Sequence, residues 1–165
     1  MSGLAIRERL LRLRHLLRRF GHFDGSRRLL LVEASALLLL SRLLLSVVPF
    51  KRLTPRLGRM AQPGEMPDAP AQTHADQERS AAEIAVDIGW AVQCAARHLP
   101  FDAVCLPQAM AAQSMLRRRH VASVMHFGVA KGAEKPFEAH AWLDAAGAEV
   151  VGYPTIGFTE IARFV

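Results

Sequence analysis

Two side chains far apart in the sequence have the right types to break an amide bond together. Cys105 follows a short loop, PFDAV, and opens the helical stretch CLPQAMAAQSMLRRRH, with Pro107 in its first turn. A helix N-terminus stabilises a thiolate, and the thiolate is the nucleophile in cysteine chemistry. The second cysteine, Cys94, lies within another helical stretch on or near its apolar face and reads as packing. A nucleophile needs a base, and seven histidines are available. His15 and His22 lie in a basic arm, His74 in a proline-rich stretch, His98 and His120 at helix ends, and His126 in a strand. His140 sits mid-strand in Ala-His-Ala-Trp, between small alanines and with Trp142 on its own face, which leaves room for another group. Singly, Cys105 and His140 read as core residues; together they are a nucleophile and a base for acyl transfer.

The elements that must position this pair follow from periodicity. From Gln77 onward, Ala81, Ile84, Ala85, Ile88, Val92 and Ala95 mark one helical face, and the helix should stop at His98-Leu99-Pro100. The next helix begins at Cys105 and ends in Arg117, Arg118, Arg119 and His120, where cations suit the macrodipole. Val121 to Val129 alternates as a strand, Phe137 to Leu143 is a second, Ala146-Gly147 makes a hairpin turn, and Glu149 to Tyr153 is a third. Helices followed by antiparallel strands predict an α+β fold.

The first sixty residues differ in character. Residues 4–20 carry Leu4, Ile6, Leu10, Leu13, Leu17 and Phe20 at helical spacing, with arginines on the other face. The preferred reading is a helix packed on its own body; the sharper one is peripheral contact with anionic lipid. Residues 1–28 hold eight arginines against Glu8 and Asp24, while the remaining 137 residues balance at 13 basic and 13 acidic. Nucleic-acid binding is not expected, because the charge is confined to one helix and lacks interleaved aromatics. Gly21 to Ser26 is a turn. Leu29 to Phe50 approaches the length of a membrane span, but Glu33 and Arg42 inside it each cost roughly 2.5–3.5 kcal/mol at a bilayer centre. It reads as a buried core helix of a cytoplasmic protein. Residues 51–59 read as a basic connection, and 61–76, with three prolines, as a linker. The expected organisation is therefore a helical region (1–60), a linker (61–76) and a core (77–165). With two cysteines in 165 residues, a disulfide scaffold is excluded; no close His/Cys/carboxylate cluster suggests a metal or cofactor.

The segments FDAVCLPQAMAAQSMLRRRH, VMHFGVAKG and FEAHAWLDAAGAEVV resemble the transglutaminase-like leader peptidases of lasso-peptide biosynthesis, the B-type maturation proteins. The resemblance covers roughly the last 85 residues, and the apolar stretch before position 60 looks like that family's helical lead-in. It implies a papain-like, transglutaminase-like core with an N-terminal helical extension, nucleophile Cys105 and base His140. It also implies cysteine-dependent removal of a leader from a precursor peptide, with a separate asparagine-synthetase-like ligase closing the lasso. Some relatives fuse a strand-rich leader-recognition domain to the peptidase. Residues 1–60 show no strand pattern, so this chain resembles the split form, which needs a separate recognition protein.

One member of the family's Cys-His-Asp pattern is missing. Pairing about the Ala146-Gly147 turn places His140 opposite Tyr153, with Gly152 beside it. Asp144 is four residues along the same strand, roughly 13 Å away at ~3.3 Å per residue, and Glu149 is no closer. A backbone carbonyl, Thr155 or a water is left to orient the imidazole; otherwise the site is a dyad. The alternative function is a weakened transglutaminase-like module that binds the precursor or partner proteins.

Overall fold

The computed structural model of this chain describes residues 24–61, 75–131, 137–154 and 157–165. The amphipathic stretch 4–20, most of the turn before Ser26, residues 62–74 of the proline-rich stretch and Thr155 lie outside them. The described elements are, in order, α1 (Gly25–Val47), α2 (Phe50–Leu57), β1 (Met60–Ala61), α3 (Ala75–His98), α4 (Cys105–Arg118), β2 (Ser123–Ala130), β3 (Glu138–Ala145), β4 (Ala148–Val151) and β5 (Thr159–Phe164). The strands form one antiparallel sheet in the order β1-β5-β2-β3-β4. Helices and an antiparallel sheet make the α+β fold that the sequence predicts.

The apolar residues of α1 divide between two faces. Leu31, Ala34, Leu37, Leu38 and Ser41 are buried, while Leu29, Val32, Leu39, Leu40, Leu43 and Val47 are exposed. The buried face joins the same hydrophobic cluster as Ile88 and Val92 of α3, Met115 and Leu116 of α4, and Leu143 of β3. Leu53 and Leu57 of α2 join the same cluster, so α1 and α2 share one core with the described part of the 77–165 segment. Glu33 reinforces the docking through Arg119 (2.7 Å) and Arg118 (3.1 Å) at the end of α4. The arginine cluster thus staples helices together in addition to suiting the macrodipole. Arg117 donates to the Leu57 carbonyl, as does Gln113 Nε2 at 2.8 Å.

The predicted connection at 51–59 contains a helix despite Pro55. Proline removes the N–H that would reach the Lys51 carbonyl; the Thr54 hydroxyl donates to that carbonyl instead, at 2.9 Å. Leu53 and Leu57, both buried, hold the turn against the core. β5 is a further element that the sequence reading does not contain. It enters between β1 and β2, so Phe164 can meet both Met60 and Met125.

α4 ends in a Schellman motif. His120 takes a positive φ of 56°, its N–H donates to the Arg117 carbonyl, and the Val121 N–H reaches back to Leu116. The chain then turns directly into β2. The β3–β4 turn is Ala146-Gly147 as expected, with both φ values positive (49° and 73°), the requirement of a type I′ turn. Its first two pairs, Ala145–Ala148 and Asp144–Glu149, follow the predicted register, but an irregularity then pairs Leu143 with Val151.

Candidate active site

Strand alternation decides which groups can meet. On β3, Ala141, Leu143 and Ala145 face the helices, so His140, Trp142 and Asp144 occupy the other sheet face. β2 contributes Gly128 opposite His140, His126 opposite Trp142 and Val124 opposite Asp144. Arg163 of β5 lies opposite His126, and Glu160 opposite Gly128.

His140 Nε2 lies 2.5 Å from the Gly152 carbonyl. A carbonyl only accepts, so Nε2 carries the proton and Nδ1 of the neutral ring is left as the basic nitrogen. The ring is boxed by Phe158, with centroids 5.1 Å apart, and by Trp142 at 6.4 Å. Gly152 has φ +78°, and a Cβ there would sit 2.5 Å from the Ala141 carbonyl. A side chain at this position therefore meets backbone, and the group bonded to Nε2 is the backbone carbonyl. Among the described residues, the Gly152 carbonyl is the group bonded to the ring; Thr155 lies outside them.

Cys105 is the first residue of α4 and is half-buried against the core cluster. Val104 before it supplies no side-chain cap, and the first turn holds no acidic residue. The N–H groups of this turn have no intrahelical acceptors, so the helix end is electropositive around the thiol. The other end of α4 is tied to Leu57, next to β1, and β1 leads across Phe164 to Met125 at the start of β2. Cys105 packs with the helix-side core cluster, whereas His140 lies on the other face of the sheet. No hydrogen bond joins Cys105 to His140 among the described residues. A cleft of about 550 Å³ is lined by Arg97, Leu99, Phe101, Asp102, Val104 and Gln108; neither Cys105 nor His140 lines it. Gln108 Nε2 donates to the Ala103 carbonyl at 2.6 Å and fixes the loop that precedes the thiol. Cys94 is half-buried against the core, as expected of a packing residue.

The sequence reading does not reach a second polar group on the same face. His126 is buried, with Nδ1 3.1 Å from Glu160 and Nε2 3.2 Å from Asp144. Ionised carboxylates only accept, so a carboxylate at each ring nitrogen favours the doubly protonated imidazolium. Burial alone would lower its pKa, but the hydrogen bonds and charges of Asp144 and Glu160 outweigh that and raise it. Arg163 grips Glu160 through two contacts of 2.7 Å, and this bonding holds the Glu160 carboxyl below its ordinary range. Tyr153 donates to Asp144; burial and that bond push the phenol pKa up. Asp144 is thus committed to His126 and Tyr153, not to His140. The His126 ring stacks flat on Trp142, at 5.2 Å and 6°. Trp142 in turn covers Gly128, where a Cβ would meet its ring at 2.8 Å. The network therefore fixes the indole that flanks His140. The available signal in sequence was the alternation of His126 and Gly128 on one strand face, but their partners lie on strands whose register sequence does not reveal. Among the described residues, no three His, Cys, Asp or Glu side chains group as a metal site, and both His126 nitrogens are already engaged.

No curated protein and no solved structure gives a significant match to this chain. Residues 44–163 match the model of the transglutaminase-like superfamily, a span that holds the helix-start cysteine, the strand histidine and most of the sheet. That match takes in most of the chain, which therefore belongs to the transglutaminase-like superfamily.

Proposed function

We propose that this chain is a cytoplasmic cysteine peptidase that removes the leader from a lasso-peptide precursor, with Cys105 as nucleophile and His140 as general base. The observation that carries the reading is the His140–Gly152 contact: a proton committed to Nε2 leaves Nδ1 as the base available to a helix-start thiol. In this mechanism Nδ1 takes the thiol proton and the thiolate attacks the scissile carbonyl. The C–N bond breaks as the imidazolium protonates the leaving amine, giving a thioester. Water, deprotonated by the same nitrogen, then releases the acyl group and restores the thiol. The Cys105 N–H is an oxyanion donor at the uncapped helix start. A separate leader-recognition protein presents the precursor, and an asparagine-synthetase-like cyclase consumes the product. Incubation with a cognate precursor and recognition protein should give one cut at the leader–core junction. Cys105→Ala should abolish it, and cleavage by Cys105→Ala at the wild-type rate would eliminate the proposal.

A second reading is a transglutaminase-like module that binds the precursor without cutting it. It is favoured by Gly152 in place of a carboxylate and by the lack of a Cys105–His140 hydrogen bond. Its signature is retained precursor binding with no cleavage by the wild-type chain.

A further inference from the structure

The outward face of α1 is apolar along its whole length. Leu29, Val32, Ala36, Leu39, Leu40, Leu43 and Val47 recur at helical spacing opposite the buried face, spanning about 27 Å at 1.5 Å per residue. Six of them are between 48% and 79% exposed. A stripe of this extent on a water-soluble surface marks a contact site. The neighbouring charge is one-sided. Residues 24–61 hold seven basic side chains, Arg27, Arg28, Arg42, Lys51, Arg52, Arg56 and Arg59, against Asp24 and Glu33, whereas 62–165 hold eight basic and 12 acidic. Arg42 on α1, and Lys51 and Arg52 at the start of α2 just beyond its end, are exposed, and the one carboxylate of α1, Glu33, is neutralised by Arg118 and Arg119.

We propose that this face of α1 lies on an anionic phospholipid bilayer, in the interface plane, with the leucine stripe against the acyl boundary and the flanking cations on headgroup phosphates. The helix does not span. Its opposite face is committed to the protein core through Leu31, Leu37 and Leu38. Charge selects this occupant over the others. A second copy would bring a basic region against itself. The proposal does not depend on the peptidase reading, because it uses none of the groups of that site.

The test is co-sedimentation of the full-length chain with vesicles of phosphatidylcholine alone and of phosphatidylcholine containing phosphatidylglycerol. The expected result is at least tenfold greater partitioning onto the anionic vesicles, reversed by high salt. Leu40→Gln/Leu43→Gln should reduce it at least tenfold while the thermal melt, monitored in parallel, stays cooperative. Because both leucines are already exposed, Arg42→Glu/Lys51→Glu serves as a second variant and should weaken binding without touching the apolar stripe. Three results would overturn the proposal. The first is wild-type partitioning that does not depend on anionic lipid. The second is partitioning that neither variant alters. The third is a dimer by light scattering that the double-glutamine variant dissociates, which would assign the face to a second copy.

Discussion

Replacing Gly152 with alanine tests the orientation of His140 at its source. Gly152 has φ +78°, where an L-residue costs about 1–2 kcal/mol. Its Cβ would also stand 2.5 Å from the Ala141 carbonyl and 3.2 Å from Trp142 Cα, both backbone atoms that cannot rotate away. Relieving that overlap by shifting β3 against the following segment adds roughly 1–3 kcal/mol. The sum is about 2–5 kcal/mol. For a chain of this size each kcal/mol moves Tm by about 2–4 °C, so the melt should fall by on the order of 10 °C. Circular dichroism melts of the two proteins read this directly. The shift also moves the carbonyl that holds Nε2, so any activity should fall further than the loss of folded protein accounts for. Gly152→Asp would return a carboxylate to the position after the histidine strand, yet it meets the same overlap and should be destabilised rather than more active. A Gly152→Ala melt within about 1 °C of wild type would refute both the strain and the orientation argument.

Three other outcomes follow from the same geometry. His126 has a raised pKa in the folded state, so its contribution is fully present below its unfolded pKa of about 6.5 and is lost as pH rises through the folded value. Urea midpoints should therefore decline above about pH 6.5, and His126→Gln should flatten that decline. Leu38→Ala removes a fully buried side chain of α1 and should cost about 2–5 kcal/mol by denaturant titration; no change would mean that α1 is not part of the core. Asp144→Ala frees His126 and Tyr153 but leaves His140 on Gly152, so cleavage should fall far less than in His140→Ala. Equal inactivity of the two folded variants would transfer the orienting role to Asp144.

Much of the fold was legible because it rests on local signals. The α3 periodicity, the Leu99-Pro100 stop, Pro107 in the first turn of α4 and the Ala146-Gly147 turn each act over a few residues, and each is found in the structure. What was not legible depends on distant partners. Pro55 argues locally against helix, and only the burial of Leu53 and Leu57 together with the Thr54 hydroxyl overrides it. β5 is inconspicuous because Ile161 faces outward and Phe164 becomes buried only on meeting β2. The division of the chain at residue 60 followed a change in composition, whereas α1 is held by leucines that complement α3 and α4, a match that no single stretch displays. At the site, residue type and spacing singled out Cys105 and His140. The group on Nε2 could not be selected because a backbone carbonyl has no letter in the sequence, and the pairing irregularity between Leu143 and Asp144 displaced the predicted register.

The claim that Cys105 and His140 act as nucleophile and base is tested most directly by the rate of thiol alkylation, which needs no substrate. Iodoacetamide labelling at neutral pH, mapped by mass spectrometry, should modify Cys105 before Cys94, because only Cys105 lies at a helix N-terminus and His140 is the proposed base for it. His140→Ala should slow Cys105 labelling at least tenfold and leave Cys94 unchanged. Equal labelling of the two cysteines, or a Cys105 rate indifferent to His140, would contradict the account.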